Sequence, residues 1–109
     1  METIKSSAEI TNLFNEGRRI GTKDLTLIVL RNEKQHGQAG RAAFIAGKKL
    51  GNAVWRNRAK RRMRALCQAI DGPIPGYDTI FLAKRSTNTA DFGVMVKNAN
   101  KALSQLKNQ

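Results

Sequence analysis

Apolar and polar residues alternate at helical intervals close to the start of the chain. Ser6 and Glu9 have the spacing of a capping box, in which each side chain bonds to the other residue's backbone N–H. Apolar residues then recur every three or four positions until Gly17, a residue type common at helix ends. This pattern predicts a short helix over residues 7–16.

Three apolar segments are too short, or too rich in β-branched residues, for helices. Residues 25–30 read Leu-Thr-Leu-Ile-Val-Leu, and the mostly polar residues 32–40 follow. The pattern predicts a strand, a loop and a second strand over residues 41–46. A third strand is predicted over residues 77–83, after a rigid turn over 72–76, and its unbroken apolar run indicates a central place in the sheet.

Two longer segments each carry one apolar stripe at helical spacing. The first runs from Ala53 to Gly72 without glycine or proline between them, which predicts a helix of about five turns. The second lies near the C-terminus, with Thr89 or Asp91 as its candidate N-cap. The stripe residues are Trp55, Ala59, Met63, Leu66 and Ile70 in the first helix and Phe92, Met95, Val96, Ala99, Leu103 and Leu106 in the second.

The order of elements is therefore α, β, β, α, β, α, which predicts an α+β fold. Helices with a single apolar stripe bury it against a sheet, so we expect a two-layer α/β sandwich of three or four strands, with helices on one face and the other face open. A chain of 109 residues with 40% apolar residues can bury one modest core. We expect a single domain over residues 1–109.

The charge of the chain indicates a polyanionic partner. Lysine and arginine number 20 against 8 acidic residues, a formal net charge of +12. A membrane partner is not expected, because no apolar run approaches the roughly 20 residues of a spanning helix and no anchoring amphipathic helix stands out. The N-terminus lacks the apolar core of a signal peptide, so we expect a cytoplasmic protein.

The inventory of reactive side chains does not indicate a catalytic or metal site. Cys67 is the single cysteine and His36 the single histidine, and the eight carboxylates are scattered along the chain. We expect Cys67 to be a buried small apolar residue and His36 to be incidental in its loop. No metal ligand is predicted on this chain.

Basic residues are concentrated at the start of the longest predicted helix. Between Lys48 and Arg64 there are eight lysines and arginines and no acidic residue. Like charges at four-residue spacing repel on a helix, and phosphates would relieve that repulsion by releasing their counterions. A merely solvated basic face is the alternative, and the missing glutamate partners count against it. At the preceding junction Gly51 has two interpretations, a phosphate-binding turn or a turn residue with positive φ.

The same stretch resembles the signature of a known family. Residues 48–61 read Lys-Lys-Leu-Gly-Asn-Ala-Val-Trp-Arg-Asn-Arg-Ala-Lys-Arg, which is similar to the signature of bacterial ribonuclease P proteins. A weaker resemblance extends over nearly the whole chain, through Phe14 and Gly17, Arg41, and the Pro-Gly-Tyr-Asp run at 75–78.

The resemblance implies both a fold and a function. The fold would be ribosomal protein S5 domain 2-like, with a left-handed β-α-β crossover around the basic helix, although about 98% of such crossovers are right-handed. The function would be that of a protein subunit that helps a catalytic RNA to remove the 5′ leader of precursor tRNA and lowers the Mg²⁺ requirement. The active site and most of the bound Mg²⁺ would then belong to the RNA, and this chain would supply no catalytic residue.

The resemblance also assigns residues to RNA contact. Asn57 has a second interpretation, as a brace or cap for neighbouring arginines. A cleft for the single-stranded leader would contain Phe14 and Arg41, although Phe14 could equally be a core residue. The RNA-contact residues are Lys48, Lys49, Asn52, Arg56, Asn57, Arg58, Lys60, Arg61, Arg62 and Arg64.

Three aliphatic or aromatic positions refine this expectation. Ile10 and Ile28 stand at positions where family members can carry aromatic residues, so we expect weaker stacking of leader bases here. Trp55 lies on the apolar stripe, which favours packing in the core over contact with RNA.

Two other functions fit parts of the pattern. A structural RNA-binding protein of the ribosomal type would explain the charge but not the arginine-asparagine-arginine signature. A DNA-binding module would use the basic helix in the major groove, but the cations surround too much of the helix to leave one base-reading face. The expected partners are therefore the catalytic RNA and precursor tRNA, without DNA.

Overall fold

The protein folds as three helices around a five-stranded sheet in a computed structural model that describes residues 2–32 and 40–107. Most of the predicted loop, including His36, lies outside the described residues. The helices are α1 (Ser7–Glu16), α2 (Ala53–Ala69) and α3 (Phe92–Lys107). The strands are β1 (Glu2–Thr3), β2 (Arg18–Gly21), β3 (Leu25–Arg31), β4 (Arg41–Ile45) and β5 (Tyr77–Ala83).

The strand order is β1-β4-β5-β3-β2, with β5 in the centre as predicted. β5 runs antiparallel to β3 and parallel to β4, and α2 connects β4 to β5 in a β-α-β unit. Phe81 of β5 lies opposite Leu27 on one side and Phe44 on the other, with 5.2 Å between the centroids of the two phenylalanine rings.

The helix ends follow the capping residues in the sequence. Ser6 Oγ accepts a hydrogen bond from the backbone N–H of Glu9 at 3.3 Å, so one half of the predicted capping box forms, while the Glu9 carboxylate binds Arg41. Of the two candidate caps for α3, Asp91 has this role, because its Oδ2 accepts from the backbone N–H of Val94 at 3.0 Å.

The expectation of three or four strands was wrong, because β1 and β2 add to the three predicted strands. β1 has two residues, and β2 has one apolar residue, Ile20, between arginines and a glycine. Neither segment has a strand pattern of its own. Their pairing with β4 and β3 supplies the stability that the local sequence lacks.

The expectation of an open second face was also wrong, because helices pack on both faces of the sheet. α2 and α3 cover one face, and α1 packs on part of the other. The first core includes Leu25, Leu27, Val29, Ala42, Met63, Leu66, Phe81 and Met95, and the second consists of Ile4, Leu13, Ile28, Ala43 and Ile80. Gly17 permits the close approach of α1, since a Cβ there would lie 2.6 Å from Cγ2 of Ile28.

The start of α2 packs tightly against the chain before it. Trp55 is half-buried against the first core, in agreement with its predicted packing role. Gly51 has an extended φ of 172°, so positive φ is not the reason for glycine there. A Cβ on Gly51 would lie 2.8 Å from Cβ of Trp55, so glycine allows the tryptophan to sit close to the backbone.

None of the helices in the described ranges has the length and apolar character needed to cross a membrane.

Candidate nucleic-acid interface

The basic signature begins on a short 3-10 turn, Lys48–Leu50, and continues into α2. Both lysines of the turn are exposed. Asn52 is the N-cap of α2, with its Oδ1 accepting a hydrogen bond from the backbone N–H of Trp55 at 2.9 Å. Asn52 therefore has a local structural role, and its contact with RNA stays a prediction.

Most of the remaining signature cations point into solvent. We call the six exposed cations of this region the basic face: Lys48, Lys49, Arg58, Lys60, Arg61 and Arg64. Asn57 is exposed on the same helix. In residues 2–32 and 40–107, the ion pairs involve only Arg41, so no acidic side chain of the described chain neutralises the basic face.

Arg64 and Arg56 differ from the other signature cations in their surroundings: Arg64 contacts an aromatic ring, and Arg56 is half-buried. The guanidinium carbon of Arg64 lies 5.2 Å from the centroid of the Phe44 ring, a cation-π contact that orients an otherwise exposed side chain. Arg56 is half-buried, and its Nε has no hydrogen-bond partner among the described residues.

Arg62 is directed into the fold. Its two terminal nitrogens donate to the backbone carbonyl oxygens of Thr87 at 2.6 Å and Ala90 at 2.7 Å, and its guanidinium carbon lies 5.9 Å from the Phe92 ring centroid. Asn88 adds a second tie by donating to the carbonyl oxygen of Trp55 at 3.0 Å. These bonds fix α2 to the segment before α3, so Arg62 has fewer donors left for phosphate than the basic face has.

Arg41 also has its main partners within the fold. Its Nε and Nη2 donate to Oδ1 and Oδ2 of Asp78 at 3.1 and 2.8 Å, and Nη2 forms a further ion pair with Glu9. The bonds to Asp78 and then to Glu9 raise the pKa of Arg41 above its already high ordinary value. This arrangement joins α1 to the centre of the sheet. Asp78 and Glu9 were missed as functional residues, since no sequence spacing connects them with Arg41.

Phe14 lies at the edge of the second core. It is half-buried, and the guanidinium carbon of Arg19 lies 5.6 Å from its ring centroid. Ile28 is fully buried beneath α1 and is not available for stacking, whereas Ile10 is half-buried beside Phe14 in the same cluster. The predicted leader cleft corresponds to the surface beside α1 that carries Ile10, Phe14 and Arg19, and we call this surface the α1 cleft.

Acidic, histidine and cysteine side chains are not grouped in the described part of the chain. No three histidine, cysteine, aspartate or glutamate side chains in the described ranges are grouped so that they could hold a metal ion. Cys67 is buried, as predicted, and burial raises its pKa to about 11, so the thiol stays protonated at neutral pH.

Comparison with known proteins identifies the family of the chain. The model of the family Ribonuclease P matches residues 1–107. A protein named "Ribonuclease P protein component" from Natranaerobius thermophilus is 35% identical over 92 residues, covering 83% of this chain and 76% of the relative. One with the same name from Syntrophomonas wolfei is 32% identical over 95 residues, covering 86% and 77%.

Solved structures agree with the fold. The RNase P protein of Staphylococcus aureus superposes with a TM-score of 0.79 at 22% identity, over 98% of this chain and 96% of that one. The RNase P protein of Thermotoga maritima gives a TM-score of 0.78 at 18% identity, over 96% and 97%. At these identities the two structures are evidence for the fold alone.

The family match, on a small α+β domain with a basic helix, defines a protein that works as part of an endoribonuclease complex in tRNA processing. The chain belongs to the ribonuclease P protein family, which confirms the resemblance inferred from the signature at residues 48–61. Proteins of this family function with an RNA subunit.

Proposed function

We propose that the basic face binds the catalytic RNA of ribonuclease P, while the α1 cleft receives the single-stranded 5′ leader of precursor tRNA. The protein would thereby lower the Mg²⁺ concentration that cleavage requires, and we expect it to act in the cytoplasm. The observation that carries the proposal is the lack of any acidic partner for the basic face among the described residues.

Electrostatics explain why the basic face suits RNA. Cations on one helix repel each other, and each phosphate contact releases condensed counterions, so RNA binding relieves the repulsion. Three of the six residues in the basic face are arginines, whose planar donors match phosphate oxygens in pairs. We expect Arg56 and Asn57 to support this surface, and Arg62 to hold α2 in place.

The α1 cleft offers a smaller surface for the leader. The Phe14 ring and the Arg19 guanidinium lie together there, and both groups can stack on unpaired bases. Ile10 offers only an aliphatic contact, so we expect modest stacking. For Arg41 we propose a narrower function than direct contact with the leader. It holds α1 at a fixed position and so sets the shape of the cleft.

We assign the chemistry of cleavage to the RNA partner and its metal ions. Bound Mg²⁺ would activate the attacking water and stabilise the leaving oxygen. The residues of this chain would bind and orient the RNA.

The proposal is tested by single-turnover cleavage of a precursor tRNA by the cognate ribonuclease P RNA at low Mg²⁺, with and without the protein. We expect the protein to accelerate cleavage at the mature 5′ end. The double variant Arg58→Ala/Arg61→Ala should lose most of that gain. The matched control is Lys5→Ala/Arg31→Ala, which removes two exposed cations outside the basic face.

Two outcomes would contradict the proposal. Folded protein that binds RNA without accelerating cleavage would favour a structural RNA-binding protein. An equal loss in both double variants would mean that net charge alone matters, and that the basic face is not a specific contact surface.

A further inference from the structure

A second cationic surface lies away from α2. The turn between β2 and β3 and the outer side of α3 enclose a shallow groove with a volume of about 310 Å³. We call it the β2–α3 groove. Its lining includes Thr22, Lys23, Asn98, Lys101 and Gln105.

The groove is positively charged and contains no acidic residue in its lining. Lys23 and Lys101 approach it from opposite walls, and both are exposed. A third cation lies close by, because Lys84 Nζ donates a hydrogen bond to the carbonyl oxygen of Thr22. Asp24, the next residue in sequence, is only 3% exposed and does not line the groove. These lysines therefore act as uncompensated point charges around a concave surface.

The groove and the basic face lie on different elements. The groove is lined by residues of the β2–β3 turn and of α3, whereas the basic face lies on α2 and on the 3-10 turn before it. No residue of the basic face is part of the groove lining. An anion held between Lys23 and Lys101 would therefore be a different phosphate from one held by the basic face.

Edge strand β2 also connects the groove with the α1 cleft. Arg18 is paired with Val29, a first-core residue, and therefore shares the face of the sheet that carries α3. Arg19 lies on the opposite face, over Phe14. Cations thus stand on both faces of the strand that separates the cleft from the groove.

We propose that the β2–α3 groove is a second phosphate-binding surface of the protein, which contacts RNA backbone that the basic face does not reach. The inference rests on the proposed function and extends it, since it assigns a second contact to an RNA-binding protein. The ligand chemistry is the phosphodiester group, and the source is either the catalytic RNA or the 5′ leader. Two lysines flanking a concave surface suit a phosphate held by charge, without base recognition.

The test uses the reconstituted holoenzyme with the double variant Lys23→Ala/Lys101→Ala. If each lysine contacts one phosphate, the slope of log affinity for RNA against log salt concentration should fall in magnitude by about 1.4 to 1.8. That change corresponds to roughly a 10-fold smaller loss of affinity between about 50 and about 200 mM salt. The charge-conserving variant Lys23→Arg/Lys101→Arg should keep the original slope, and thermal unfolding should be unchanged in both variants because both side chains are exposed.

The control Lys5→Ala/Arg31→Ala removes the same charge far from the groove. Lys5 follows β1 at the other edge of the sheet, and Arg31 is at the end of β3 remote from Lys23. We expect its slope to change by less than about half a unit, because exposed charges at such distances are screened. A fall as large as that of the groove variant would overturn the inference.

Two binding measurements identify the source of the phosphate. If the groove variant binds the catalytic RNA, without precursor tRNA, with a smaller salt slope, the groove contacts that RNA. If its salt slope is smaller only in the binding of precursor tRNA with a long leader, the groove contacts the leader. An unchanged slope in both would refute the groove as a binding surface. Arg58→Ala/Arg61→Ala in the same assays tests the proposed function separately. If the salt slope falls for Arg58→Ala/Arg61→Ala but not for the groove variant, the groove is refuted and the proposed function is retained. If the slope falls for neither variant, both are refuted.

Discussion

The basic face and the region around Arg41 both carry cationic side chains, but in the described part of the chain only the cation around α1 has carboxylate partners. On the basic face, six exposed cations have no acidic partner among the described residues. On the α1 side, one guanidinium binds Asp78 and Glu9, and its side chain is only 16% exposed. Arg41, beside two carboxylates, joins α1 to the sheet, whereas the exposed cations without an acidic partner are the ones that we propose for RNA binding. The difference lies in the neighbours that the fold supplies, and the residue type alone does not determine the function.

The largest expected effect comes from removing the cation on the α1 side. Arg41→Ala should lower the free energy of unfolding by about 3 kcal/mol, because it leaves the largely buried Asp78 carboxylate without its guanidinium partner. Denaturant unfolding measures this, with Arg41→Lys as the charge-conserving control and an intermediate loss expected. A loss below about 1 kcal/mol would mean that the pair contributes no more than a surface ion pair.

Arg62 tests the comparison within α2 itself. Arg62→Ala removes two charge-assisted bonds to backbone carbonyl oxygens and should cost about 2 kcal/mol of stability. The salt slope of RNA binding, measured at a temperature where the variant is folded, should not change. A smaller slope with unaltered stability would show instead that Arg62 leaves its carbonyl partners to contact RNA.

For Arg61, the neighbour of Arg62 in sequence, we expect the opposite result: RNA binding should change and stability should not. Arg61→Ala should change stability by less than about 0.5 kcal/mol, because the side chain is exposed and no hydrogen bond holds it within the described chain. The salt slope of RNA binding should fall by about 0.9 or less, as expected for one lost phosphate contact. An unchanged slope would remove Arg61 from the contact surface.

Within the Arg41 cluster, the smallest effect on stability is expected at its exposed end. The Glu9 side chain is 46% exposed, so Glu9→Gln should cost less than about 1 kcal/mol in chemical unfolding. The amide oxygen of glutamine can still accept a bond from Arg41. If the loss were as large as for Arg41→Ala, the attachment of α1 would depend on the Glu9 charge.

Elements with strong periodicity were predictable from the sequence. The pattern predicted α1 and β5 with the observed limits, and α2 with its observed start and a length of about five turns, because each has a local apolar pattern and flanking stop signals. It missed β2, in which Ile20 is the single apolar residue and pairing with β3 determines the strand.

The candidate site was predictable only in part. The signature located the basic helix, but not which of its cations are free to bind RNA. Arg61 and Arg62 are adjacent and identical in type, and what separates them is the position of the carbonyl groups of Thr87 and Ala90. Likewise Arg41 lies 37 residues from Asp78 in sequence. Contacts over such separations follow from the assembled sheet and have no local pattern.

The two ties between α2 and the segment before α3 have a consequence for the entropy of RNA binding. A helix crowded with like charges would be partly unfolded as an isolated peptide, and binding would then have to order it. Arg62 and Asn88 anchor the helix from its inner side, so the fold itself holds α2 in a helical conformation. In the proposed complex the domain would therefore present a preformed helix, and the free energy of phosphate contact would not be consumed in forming it.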